Sequence, residues 1–221
     1  MTSAILTQRE KIVVVGNGKH AKVVTDIIED MGKYDILGFV VGPDFKDHKF
    51  LGYPVLGHDD ILMDLYHNKE ALHIAIGIGG WEDNNTLRKR IYLKIKEIGF
   101  HLPNIIHPTA IISKNVILGE GNVIFPGAVI NTECVLHDNV VIATGSTIDH
   151  ETIIHSNVLV SAGVTVGGNV NVGEGCLLAL GSKVISDTCL AENVLVAAGA
   201  VVVKDCSVAG KYFGIPAKRV T

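Results

Sequence analysis

Two short stretches of this 221-residue chain bring together residue types that can do chemistry. One is Ile148-Asp149-His150-Glu151-Thr152. A histidine takes up and returns protons near neutral pH because its ordinary pKa is about 6.5. Carboxylates beside it stabilise the imidazolium and make the ring more basic. Such a group suits removal of a proton from an attacking amine or hydroxyl; it equally suits a solvated surface histidine, and residue types alone leave both readings open. The other stretch is Gly16-Asn17-Gly18-Lys19-His20, which follows the β-branched run Lys11–Val15. Glycines let backbone close on a phosphate, and a helix starting there supplies N–H groups and a positive dipole end. Ala21 stands where a dinucleotide fingerprint has its third glycine. The next strand ends in Val41-Gly42 without an acid for a ribose, and Asp44 is displaced. The expectation is a nucleotide or nucleotide-sugar phosphate rather than NAD, with an empty tight turn as the competing reading.

The elements that position these stretches differ between the two halves of the chain. From Ile106 to Val202 an aliphatic residue occupies every sixth position, and a small or β-branched residue follows four places later, as in Ala110, Cys134, Ser146 and Thr152. Asn122 is the one awkward member. A six-residue period fits neither an α-helix nor a meander of hairpins. It fits a solenoid of short strands wrapped into stacked coils, with one aliphatic residue per face pointing inward. His150 falls two places after the inward Ile148, whereas His137 and His155 each fall one place after an inward residue. His107 precedes Pro108 in a hinge expected at Asn104–Pro108, where a structural role fits better.

The first hundred residues alternate instead. Lys11–Val15, Ile36–Val41 and His73–Ile78 read as strands. Ala21–Met31, stopped by Gly32, and Asp83–Ile98, stopped by Gly99, read as helices with one apolar face. That alternation implies a small parallel α/β sheet. The expected organisation is residues 1–103 as a Rossmann-like α/β domain and 104–221 as the solenoid.

A Gly-x-Gly-x-His loop opening a small α/β domain, followed by uninterrupted hexapeptide repeats, resembles the sugar acetyltransferases of the sialic-acid O-acetyltransferase and bacillosamine N-acetyltransferase group. The likeness runs from Lys11 to Val220. It implies a left-handed parallel β-helix that binds acetyl-CoA as co-substrate, and an N-terminal domain that binds a nucleotide-linked amino sugar. It also implies a homotrimer with active sites between subunits. The family motif, histidine followed by glutamate within a repeat, matches His150-Glu151, which makes His150 the general base and Glu151 the residue that raises its basicity. The likeness assigns substrate contacts to Gly16, Gly18, Lys19 and His20, with Val41, Gly42 and Gly77 at neighbouring strand ends. For acetyl-CoA it points to Leu159, Leu180 and Ala198 along an outer groove. The closing segment Lys211–Arg219 resembles the usual Gly-x-Pro-Ala-Lys ending and offers Lys218 and Arg219 to the CoA phosphates. One departure is Ala143, where the bacillosamine enzyme has asparagine.

The expected reaction is N-acetylation of a nucleotide-linked 4-amino-dideoxy sugar for bacterial surface glycans. The alternatives are sugar O-acetylation and a non-catalytic sugar-binding scaffold; a nucleotidyltransferase would need a larger catalytic domain than about a hundred residues. Net charge is −4, from 19 basic and 23 acidic residues, which argues against nucleic acid as a partner. No stretch approaches the roughly 20 apolar residues of a membrane span, and Met1–Glu10 lacks a signal peptide's pattern, so a cytoplasmic location is expected. Cys134, Cys176 and Cys206 occupy small repeat positions and no CxxC spacing exists, so reduced structural cysteines and no metal are expected.

Overall fold

The computed structural model describes residues 9–80 and 83–220. Most of Met1–Glu10, read above for a leader, lies outside them. The first elements among the described residues are β1 (Glu10–Val15) and α1 (Lys19–Met31), the latter ended by Gly32 in the left-handed conformation. Then come β2 (Tyr34–Val40), the short pair β3 (Lys49–Phe50) and β4 (Tyr53–Gly57), α2 (Leu62–His67), β5 (His73–Ile76) and α3 (Asp83–Ile98). The sheet order is β3-β4-β2-β1-β5, parallel except for the β3–β4 pair. The hairpin and α2 were not foreseen; β3 has two residues and α2 six, too short for a periodic signal. One sheet face packs against α1, the other against α2 and α3.

The rest of the chain is the left-handed parallel β-helix. Two-residue strands stack in three sheets, each pairing with the strand 18 residues on, as Val141 with Leu159 and Thr147 with Thr165. The aliphatic residue of every sixth position points inward, and from Ile124 to Val202 each is buried in one continuous core. Corners are turned by left-handed residues in columns, Glu133, Glu151, Asn169 and Asp187 forming one of them. Asn122 is fully buried there, and its Oδ1 accepts the Val140 N–H at 2.7 Å. The segment Asn104–Pro108 is not a free hinge: Ile105–Ile106 is already the first strand of the solenoid, paired with Val123–Ile124.

The two halves meet along an apolar seam. Outward residues of the first solenoid face, Ile105, Val123, Val141, Leu159 and Leu177, pack in one cluster with Ala21, Val24, Ile27 and Ile28 of α1. Each Val, Ile or Leu side chain among them contributes roughly 1.5–3 kcal/mol on burial, enough to hold the domains as one body. Polar contacts from α3 lock the rotation. Arg88, 1% exposed, donates to the carbonyls of Asn139 at 2.8 Å, Asn157 at 2.9 Å and Val158 at 3.3 Å. Lys89 reaches Glu174 at 2.7 Å, and at the end of α1 Asp30 meets His107 at 3.0 Å.

Candidate functional site

Parallel strands leave a crevice beyond their C-terminal ends, and here it opens above β1, β2 and β5. Its volume is about 1000 Å³, and Gly16, Gly18, Lys19, His20, Val41, Gly42 and Gly77 all line it. The loop is closed on both sides: the Gly16 N–H donates to Val40 O at 2.8 Å and the Gly77 N–H to Val15 O at 2.7 Å. Gly16 has φ 117°, and a Cβ on it would lie 2.9 Å from Gly77 O, so only glycine lets the chain turn here. The exposed N–H groups at the start of α1, with Lys19 and Arg90, make this end of the crevice fit for phosphate.

His20 sits between the crevice and the solenoid. Its ring stacks on Phe125, centroids 5.3 Å apart. Burial, aided by the Arg88 guanidinium, pushes its pKa down to about 4, so the ring is neutral at pH 7. Its Nε2 is sealed from solvent without a hydrogen-bond partner. Sequence reading missed further lining residues, namely Asn17, His58, Asp59, Asp60 and Arg90. Asn17 stood within the quoted loop. The acids lie on the turn after β4 and carry no local motif.

His150 and Glu151 occupy a corner between the second and third solenoid faces, both well exposed. The His150 Nδ1–H donates to Glu151 Oε2 at 3.0 Å, which leaves the lone pair on Nε2 free to take a proton. Glu151 has φ 58°, held by its N–H to Thr132 O at 3.1 Å and by Asn169 N–H to His150 O at 2.8 Å. Asp149 braces the turn from the other side. Its Oδ1 accepts the His150 N–H at 2.9 Å and Asn131 Nδ2 at 2.8 Å, and these two bonds hold its carboxyl below the usual range. One coil on, Gly168 lies under the imidazole; a Cβ there would come within 2.5 Å of His150 Cε1. The Gly167-Gly168 doublet was the available signal for that contact. His137 and His155 stack on each other, centroids 4.9 Å apart, at the next corner along the coil.

The residues named for acetyl-CoA separate. Leu180 and Ala198 are exposed and sit one above the other, as Gly199 N–H bonds to Leu180 O at 2.9 Å. Leu159 is different: at 7% exposure it lies in the apolar cluster between the halves, not on an open groove, because its outward side chain belongs to the face that packs in that cluster. Lys218 and Arg219 are exposed on the last strand, Lys218–Val220, which pairs antiparallel with Gly210–Phe213; Arg219 Nε donates to Ala209 O at 2.9 Å. Cys134, Cys176 and Cys206 are buried in the solenoid core and Cys189 is exposed. Burial pushes Cys176 up to about 12 and Cys206 to about 11, far from a thiolate nucleophile at neutral pH. Among the described residues no helix is long and apolar enough to cross a membrane.

Residues 11–95 match the model of the PglD N-terminal domain family. The whole chain is similar to PerB from Caulobacter crescentus, solved with CoA and GDP-perosamine: 32% identity over 96% of this chain and 97% of that one, with a TM-score of 0.88. An alanine variant at a histidine of the same organism's GDP-perosamine N-acetyltransferase, again with CoA and GDP-perosamine, matches at 31% identity over 96% and 97%, with a TM-score of 0.86. The acetyltransferase domain of PglB from Neisseria gonorrhoeae, solved with acetyl coenzyme A, shares 31% identity over 96% of this chain and all of that one, with a TM-score of 0.85. Fold, N-terminal domain and near-complete coverage agree, and the chain belongs to the hexapeptide-repeat family of sugar N-acetyltransferases.

Proposed function

We propose that this protein transfers the acetyl group of acetyl-CoA to the amine of a nucleotide-linked 4-amino-dideoxy sugar. The observation that carries the proposal is the pairing of His150 and Glu151 at 3.0 Å in a chain that also holds a phosphate-compatible crevice of about 1000 Å³. The solved relatives, one with CoA and GDP-perosamine bound and another with acetyl coenzyme A, support it.

In this reading the crevice holds the nucleotide through the Gly16–His20 loop, with Val41, Gly42 and Gly77 at its rim. His150 Nε2 takes a proton from the sugar amine as nitrogen attacks the thioester carbonyl. A C–N bond forms, the C–S bond breaks, and the proton on His150 passes to the departing CoA sulfur. Glu151 favours the imidazolium formed in between. Leu180 and Ala198 flank the acetyl-CoA chain, with Lys218 and Arg219 near its phosphates. Direct attack needs no acyl-enzyme, consistent with buried, high-pKa cysteines.

His150 is not among the residues lining the crevice of its own chain. A homotrimer resolves this by setting one copy's crevice against its neighbour's His150 corner, the arrangement expected from the sequence likeness. Light scattering should return three times the chain mass.

The test is thiol release from acetyl-CoA with UDP-, GDP- and dTDP-linked 4-amino sugars, beside free sialic acid, with His150→Ala as control. Turnover of an amino sugar that collapses by about a hundredfold or more in the variant supports the proposal. Turnover of sialic acid alone, or undiminished turnover in the variant, overturns it.

A further inference from the structure

The crevice carries a ruler in its strand order. Across β1, β2 and β4 the strand ends step sideways by about 4.8 Å each, so the end of β4 lies about 10 Å from the phosphate-binding start of α1. From a diphosphate at Gly16–His20, the ribose comes first along this direction and the base follows. The first step is the end of β2, where Val41 and Gly42 offer no carboxylate. The second is the turn after β4, where Asp59 and Asp60 stand. These are the only carboxylates lining the crevice among the described residues. His20 lines the same crevice at its phosphate end.

Two carboxylates at the base end select strongly, because an ionised carboxylate only accepts hydrogen bonds. Uracil and thymine present one N–H flanked by two carbonyl oxygens, which would face the carboxylate oxygens and repel them. Adenine offers a single amino donor beside an acceptor nitrogen. Guanine alone presents N1–H and N2–H₂ side by side, matching two acceptor oxygens. The turn is braced to serve as such a reader. His58 Nδ1 meets Val41 O at 3.1 Å, the Val41 N–H donates to Gly57 O at 3.0 Å, and Lys94 Nζ donates to Asp59 O at 2.9 Å.

We infer that the Asp59–Asp60 turn reads the Watson–Crick edge of guanine, so that the sugar reaches this protein on GDP rather than on UDP or dTDP. This rests on the reading of the crevice as a nucleotide-sugar site. The experiment is calorimetric titration of the full chain with GDP, IDP, UDP and dTDP. IDP is guanine's analogue without the N2 amine. GDP is expected to bind about ten- to a hundredfold tighter than UDP and dTDP, and several-fold tighter than IDP. Asp59→Asn or Asp60→Asn should erase most of the GDP preference over IDP and tighten UDP binding, because the repulsion of the uracil carbonyls is relieved. Equal binding of GDP and UDP by the unaltered chain overturns the inference, as does a GDP preference untouched by both substitutions. If none of the four binds, the nucleotide reading of the crevice falls, and this inference with it.

Discussion

The imidazole of His20 lies against the ring of Phe125, 5.3 Å between centroids, and so joins the phosphate-binding loop of the N-terminal domain to the first face of the solenoid. Burial at this junction, with the nearby Arg88 guanidinium, keeps the ring neutral. The stack also makes the inter-domain geometry part of the site, because any slip between the halves moves His20.

That burial makes stability depend on acid. The folded state holds His20 at about 4 against an ordinary 6.5, so between those values the unfolded chain binds more protons. Stability from this group is fully present above about pH 6.5 and is lost as pH falls toward 4, by about 3 kcal/mol in all. His73, lowered more weakly, adds in the same direction. Thermal melts from pH 7 to pH 4 should therefore fall less steeply in His20→Phe, which keeps the stack on Phe125, than in the unaltered chain. Parallel curves would contradict a buried neutral His20.

Gly168→Ala should separate activity from stability. Its new Cβ would sit 2.5 Å from His150 Cε1, and a side-chain ring can swing aside at little cost. The expected outcome is a Tm within a few degrees of the unaltered chain. kcat should fall at least tenfold, since displacement of a reacting group by about 1 Å can cost a hundredfold. Unchanged kcat would show that the observed ring position is not the working one.

Arg88→Met removes the guanidinium's hydrogen bonds to the carbonyls of Asn139, Asn157 and Val158 and leaves them without that donor. Burial already holds this guanidinium down to about 10, a sign of how little water reaches it. A loss of about 3 kcal/mol in urea unfolding is expected. KM for the sugar substrate should rise as the domains loosen. A stability loss below about 0.5 kcal/mol would mean that the apolar seam alone fixes the domains.

Thiol labelling gives a direct check on the solenoid core. Of the four cysteines only Cys189 is exposed, and the Cys134, Cys176 and Cys206 thiols are all pushed up by burial. An aromatic disulfide reagent at pH 8 should titrate one thiol per native chain and four after denaturation. Cys189→Ser should remove the native signal and leave acetyl transfer intact. Rapid labelling of all four in the native state would contradict the packing.

The sequence by itself determined the solenoid, because a six-residue period is a local rule: each inward aliphatic and each small corner residue is chosen by its own coil, from Ile106 to Val202. It also placed the Gly16–His20 loop between a strand and a helix, and α3 between Asp83 and Ile98. What only the tertiary structure decided are the contacts between distant positions. Strand order carries Asp59 and Asp60 to the crevice, and α3 turns Arg88 into the solenoid corners while Arg90 faces the crevice. Leu159 reads as a groove residue until its face is seen to be buried in the cluster between the two halves. The cause is the same in each case. Periodicity specifies which side of a coil a residue takes, whereas what stands opposite that side is set by how whole elements pack.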